Sequence, residues 1–139
     1  MTYLLDTNVI SELRKREKAH PGVARWVTSV DPTTLHTSVL VLGEIRRGIE
    51  RKRRSDVAQA DALETWLDRM RAGLQGRILS VDERVAEVWG RLGIPDPIPV
   101  IDGLLAATAL VHDFTVVSRN LSDLKRTGAK LLDPFSFVG

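Results

Sequence analysis

At 139 residues, with 43% apolar and 27% charged side chains, the chain has the balance of one ordinary soluble domain spanning 1–139, and no apolar run approaches the ~20 residues of a membrane span. Cysteine is absent, which excludes disulfides, cysteine nucleophiles and thiolate zinc sites and fits a reducing compartment. The net charge is only +2 although the pI is about 9.3, and six of the basic groups crowd into RRGIERKRR, Arg46 to Arg54.

Residues 2–5 predict a short strand of the kind buried on both faces. Asp6 follows as an N-cap, with Val9, Ile10 and Leu13 at helical spacing behind it. Pro21-Gly22 punctuates the chain before Val23, Trp26, Val27 and Val30, which predict a second helix. Asp31-Pro32 marks a turn and LHTS (35–38) a strand. SVLVLGEIRRGIERKRR then begins apolar and ends basic, as suits a helix with cations at its favourable dipole end. Val57, Leu63, Trp66, Leu67 and Met70 mark an amphipathic helix from Ser55 to about Ala72, with Gly73 and Gly76 at its exit. RILSV (77–81) predicts a strand, and DERVAEVWGRLG a helix that stops at Gly93. PDPIPV is an extended connector, IDGLLAATALVHDF a buried helix, TVVSRN a strand with a polar exit and AKLLDP a final strand. This alternation predicts an α/β fold with a mostly parallel sheet and helices on both faces. Scarce aromatics, 5% of the chain, predict a core of Leu, Val, Ile and Ala.

In open parallel sheets, sites form where the C-terminal ends of strands meet the following helices. Asp6 lies at one such end and Asn120 at another. Asp102 opens the helix after the proline-rich connector, and Glu44 follows the apolar run VLVL inside its helix. Taken singly, each acid has a structural alternative: Asp6 or Asp102 can cap a helix, and Glu44 can pair with Arg46 or Arg47. Three carboxylates that converged would repel one another enough to keep one protonated at neutral pH, and a hard divalent cation removes that conflict. Magnesium takes oxygen ligands, keeps several waters and is held by one or two carboxylates plus substrate phosphates. The chemistry to which this pattern points is phosphodiester hydrolysis with water as nucleophile.

The stretches YLLDTNVISEL, TSVLVLGEIRRGI, IPVIDGLLAATAL and TVVSRNLSDL resemble, in order and over essentially the whole chain, the PIN-domain nucleases. Within that family they look like the VapC-type toxins of prokaryotic toxin–antitoxin pairs, near the FitB-like branch. The resemblance implies a five-stranded parallel sheet flanked by helices and a magnesium- or manganese-dependent endoribonuclease. It also implies a cytoplasmic homodimer held inactive by a cognate antitoxin, often a DNA-binding protein. Residue by residue, the first acid of the family corresponds to Asp6, its helical glutamate to Glu44 and its third acid to Asp102. The position after the fourth strand, an acid in many members, is Asn120 here, with Asp123 close by. Asp6 and Asp102 are thus expected to hold the ion and Glu44 to complete the pocket directly or through water. Asn120 would orient a ligand or a water, and Thr7, Asn8 and Ser38 would orient the carboxylates.

Arg46, Arg47 and Arg51, just after Glu44, are candidates to grip RNA phosphates, as is Arg119 beside Asn120. A solvated helix end, or docking of an acidic partner, is the alternative for the basic run. His20, His36 and His112 match no zinc spacing, and Trp26, Trp66 and Trp89 read as packing residues. No G-x-S-x-G, Walker-type or dinucleotide-binding glycine pattern occurs. The competing class is a non-catalytic RNA- or partner-binding module on the same fold, to which Asn120 lends weight. A metal phosphohydrolase for small substrates is the third.

Overall fold

The computed structural model describes residues 1–139. Its strands are β1 (Tyr3–Leu5), β2 (Leu35–Ser38), β3 (Ile78–Leu79), β4 (Thr115–Val117) and β5 (Lys130–Leu132). They form one sheet in the order β3-β2-β1-β4-β5, and every neighbouring pair is parallel. Seven helices connect them: α1 (Thr7–Leu13), α2 (Pro21–Ser29), α3 (Val39–Arg53), α4 (Val57–Gly73), α5 (Glu83–Trp89), α6 (Val100–His112) and α7 (Leu121–Leu124). The chain steps from β1 outward to β2 and β3, then crosses back to β4 and continues to β5. Right-handed crossovers therefore put α1–α4 on one face and α5–α7 on the other. The expected α/β architecture, with helices on both faces, is the one observed.

This path makes the gap between β1 and β4 the switch point of the sheet. The helix after β1 leaves to one face and the helix after β4 to the other, which opens a crevice at the strand ends. The side chains that follow Leu5 and Val117 stand at its lips.

The buried core is aliphatic, as the composition predicts. Leu4, Leu5, Val9, Val41, Ile45, Ile49, Leu105, Ala106, Val116 and Val117 all belong to it. Trp26 is the one aromatic side chain fully buried there, with Tyr3 edge-on at 5.1 Å between ring centroids. Trp66 packs on the rim of the core, and Trp89 lies against Gly103, where an added Cβ would come within 3.1 Å of the indole. No helix is long and apolar enough to cross a membrane.

Two boundaries differ from expectation. The strand expected over 77–81 is only Ile78–Leu79, because its partner ends first: Ser38 pairs with Leu79 and the next residue, Val39, already begins α3. The helix expected to run to Gly93 stops at Trp89, with Gly90 as its C-cap, and turns fill the stretch before the connector. Glycine at the cap weakens helical continuation.

Candidate active site

Asp6 is 6% exposed at the end of β1, and its carboxylate is held from three sides. Oδ1 accepts the Thr7 N–H at 2.7 Å, which makes Asp6 the N-cap of α1. Oδ2 accepts the Ser118 hydroxyl at 2.7 Å and the Asn8 amide at 3.5 Å. The capping reading and the site reading of Asp6 thus use different oxygens. Ser118 is fully buried at the end of β4, opposite Asp6 across the switch point. Its oxygen accepts the Asn120 backbone N–H at 3.0 Å and the Asn8 amide at 3.1 Å. A hydroxyl has two acceptor lone pairs and one proton. Both lone pairs face N–H donors, so the proton is left for Asp6. Asn8 closes the frame by accepting the Arg119 N–H at 3.1 Å.

Glu44 stands exposed on α3 and makes no ion pair with Arg46 or Arg47; instead its Oε1 accepts the Thr7 hydroxyl at 2.5 Å. Asp102 sits in the first turn of α6, where Pro99 occupies the cap position, so its carboxylate is not engaged in capping. Asn120, after β4, donates its amide to Asp102 Oδ2 at 3.2 Å. Burial pushes the Asp102 carboxyl above the ordinary aspartate range, and the charges of Asp6, Asp123 and Glu44 push it the same way, against the Asn120 hydrogen bond. Each carboxylate is therefore close enough to be felt at Asp102. No lysine or arginine pairs with Asp6, Glu44 or Asp102.

That donor set suits a hard cation: oxygen atoms only, negative, uncompensated and partly desolvated. No three Asp, Glu or His side chains close into a cage around an ion by themselves.

The remaining candidates sort unevenly. Ser38, expected to orient a carboxylate, does not touch one: its hydroxyl accepts the Leu40 N–H at 3.1 Å as the N-cap of α3. The position at the end of a strand was the right one, but the strand was β4, and Ser118 does the work. Ser118 was not among the expected site residues, although a small polar residue directly after the valines of β4 was its signal. Asp123 pairs with Arg126 at 3.4 Å while adding its charge at Asp102. Arg46, expected at RNA, turns instead to α4, where it pairs with Glu64 as well as with Glu50 on its own helix. Arg53 joins the same network through Glu50, Asp61 and Glu64. Arg47 and Arg51 face the other way and line a cleft of about 470 Å³ with Glu44. Arg119 lies over the Phe135 ring, 3.8 Å from its centroid. His20 caps α2 through Nδ1, and His36 and His112 pack on Phe114, all consistent with structural roles.

A model of the PIN domain matches residues 3–130. The chain belongs to the PIN-domain family. Its relatives place it on the VapC-type, FitB-like branch of toxins. Ribonuclease VapC14 of Mycobacterium tuberculosis is 44% identical over 68 residues, which are 49% of this chain and 65% of that protein. VapC ribonuclease Y4jK of Sinorhizobium fredii is 31% identical over 140 residues, covering 95% of this chain and 96% of the relative. Among solved structures, FitAB bound to an IR36 DNA fragment matches with a TM-score of 0.87 at 26% identity, covering 99% of each chain.

Proposed function

We propose that the protein is a metal-dependent endoribonuclease that cleaves RNA phosphodiester bonds with an activated water and acts as the toxin of a toxin–antitoxin pair. The observation that carries this reading is the hydrogen-bonded chain that joins the acids at the switch point, Glu44 to Thr7 and Asp6, and Asp6 through Ser118 and Asn120 to Asp102, with no basic residue paired to Asp6, Glu44 or Asp102. Asp6 and Asp102 would hold Mg2+ or Mn2+, with Glu44 reached through water. When bound, the ion would neutralise the cluster and polarise a phosphoryl oxygen of the scissile group.

The chain's own groups do the rest. Ser118 and the Thr7 N–H hold Asp6 in one orientation, and the Asn120 amide engages one oxygen of Asp102 and leaves the other open. Asn120 thus serves as a positioning residue where many family members carry a fourth acid. Thr7 fixes Glu44 through Oε1, so that Oε2 is available to take a proton from the attacking water. The single domain over 1–139 works in the cytoplasm as a homodimer, and a DNA-binding antitoxin inhibits it. Similarity to VapC ribonucleases and to a FitAB complex on DNA supports the toxin role and the antitoxin partner.

The test is cleavage of a mixed, end-labelled RNA pool by wild type, by Asp102→Asn and by wild type with chelator. Discrete products are expected from wild type alone, returning when manganese is added to the chelated sample. Products from Asp102→Asn at the wild-type rate would sink the assignment. Silence in all lanes with RNA retained on the protein would favour the binding module.

A further inference from the structure

The connector that leads into α6 has almost no bonds of its own. Residues 93–98 make no backbone–backbone hydrogen bond, and Pro95, Pro97 and Pro99 have no N–H to give. From Ile94 to Val100 only Ile98 is half-buried, and the rest are exposed. Ile98 sits between two glycines: a Cβ on Gly93 would stand 3.0 Å from its nitrogen, and one on Gly103 3.9 Å from its Cγ2. The second anchor is Arg126, in the turn after α7. Its Nη1 donates to the Asp96 carbonyl at 3.2 Å and its Nη2 to the Pro97 carbonyl at 2.9 Å. Nη2 also meets Asp123 Oδ1 at 3.4 Å. Leu124 and Thr127 close by are buried, so the guanidinium extends from a fixed base. The same segment reaches α6 a second time, through the Asn120 amide on Asp102.

Resting on the reading of Asp102 as an ion ligand, we infer that Arg126 is a positioning residue for the metal site: its fork ties the connector to α7 and thereby fixes the first turn of α6, which carries Asp102. Pro99 caps that helix without a side-chain hydrogen bond, so the turn takes its place from the connector before it. Without Arg126 the connector keeps only its anchor at Ile98. Carbonyls on two successive residues and a carboxylate need donors spread in one plane, which a guanidinium offers and an ammonium does not. Charge gives the opposite sign. A cation beside these acids opposes a second cation, so on charge alone the loss of Arg126 tightens ion binding.

The experiment titrates Mn2+, without RNA, into wild type, Arg126→Lys and Arg126→Gln by calorimetry, and follows amide exchange of all three by NMR in chelator. Arg126→Lys keeps the charge and loses the fork, whereas Arg126→Gln loses both. Each variant should bind Mn2+ about tenfold more weakly, as when a group that holds a ligand is removed. The amides of Gly103 and Leu104 should exchange faster, while those of Val116 and Val117 in β4 hold. A lower melting temperature with unchanged Mn2+ affinity would make Arg126 merely structural and overturn the proposal. Full affinity in Arg126→Lys would overturn it too, since charge and not the fork would then suffice. The metal reading fails separately. If wild type takes up no Mn2+, that reading falls and exchange decides the tether: faster exchange confined to the start of α6 sustains it, and exchange unchanged or raised evenly overturns it.

Discussion

Ser118 shows how much one small side chain can organise. It has no alternative partner for its proton, so Ser118→Ala removes a hydrogen bond from the Asp6 carboxylate and takes its acceptor from the half-buried Asn120 N–H. The expected loss is about 1–3 kcal/mol in urea unfolding, together with slower cleavage, since Asp6 loses one of the three groups that hold it. Unchanged stability would mean that water replaces the hydroxyl. Asp102 predicts the opposite sign. Its carboxyl is raised by burial and by Asp6, Asp123 and Glu44, so the folded chain binds more protons there than the unfolded chain as pH passes through the carboxylate range. The slope of unfolding free energy with pH is then negative, and stability falls as Asp102 ionises. In chelator, Asp102→Asn should melt above wild type at pH ~7 and lose that advantage as the pH falls below the ordinary aspartate range, about 3.9, where the carboxyl is protonated in the folded and unfolded chain alike. A gap that widened on acidification would reverse the assignment. Asn120 keeps its hydrogen bond in this variant, because an asparagine oxygen also accepts.

Among the elements, β4 carries the site at one end and a defect at the other. The Thr115 hydroxyl is buried without a hydrogen-bond partner, an arrangement that costs free energy with no visible return. Thr115→Val keeps the branched shape a strand prefers and is expected to stabilise the fold by about 1 kcal/mol, measured by urea unfolding, with cleavage unaffected. Destabilisation would show that the hydroxyl does find a partner in solution. Helix α3 divides its basic run by face. Arg46 and Arg53 brace α4 through shared carboxylates, and Arg47 and Arg51 border the cleft. The run RRGIERKRR announced a cationic helix end, but a helix turns 100° per residue, so neighbours in sequence meet different surroundings. Which arginine found an acid depended on where α4 came to rest.

For the whole molecule, an ion held by the uncompensated acids, as proposed, would couple its binding to folding. Melting with Mn2+ or Mg2+ should raise the stability of wild type by RT ln(1 + [L]/Kd), about 2.7 kcal/mol at 100 times Kd, and Asp102→Asn should respond much less at the same concentration. Equal shifts in both proteins would mean that the ion binds elsewhere. Much of the architecture could be read without coordinates, because it is local. Apolar runs, caps such as Asp6, and glycine exits act on residues within a few positions, so element types and order follow from short stretches. The acids at strand ends could be read for the same reason, with the family resemblance supplying their correspondence. The early end of β3 could not, since it depends on where β2 turns into α3 on another part of the chain. Nor could the exchange of Ser38 for Ser118, the separation of Arg46 from Arg47, or the Asn120 hydrogen bond to Asp102. Those are contacts between residues 18 to 112 positions apart. Hydrophobic periodicity sets each element's inward face, whereas the meeting of polar side chains at the strand ends is set by how the packed elements turn towards one another, and only the folded chain contains that information.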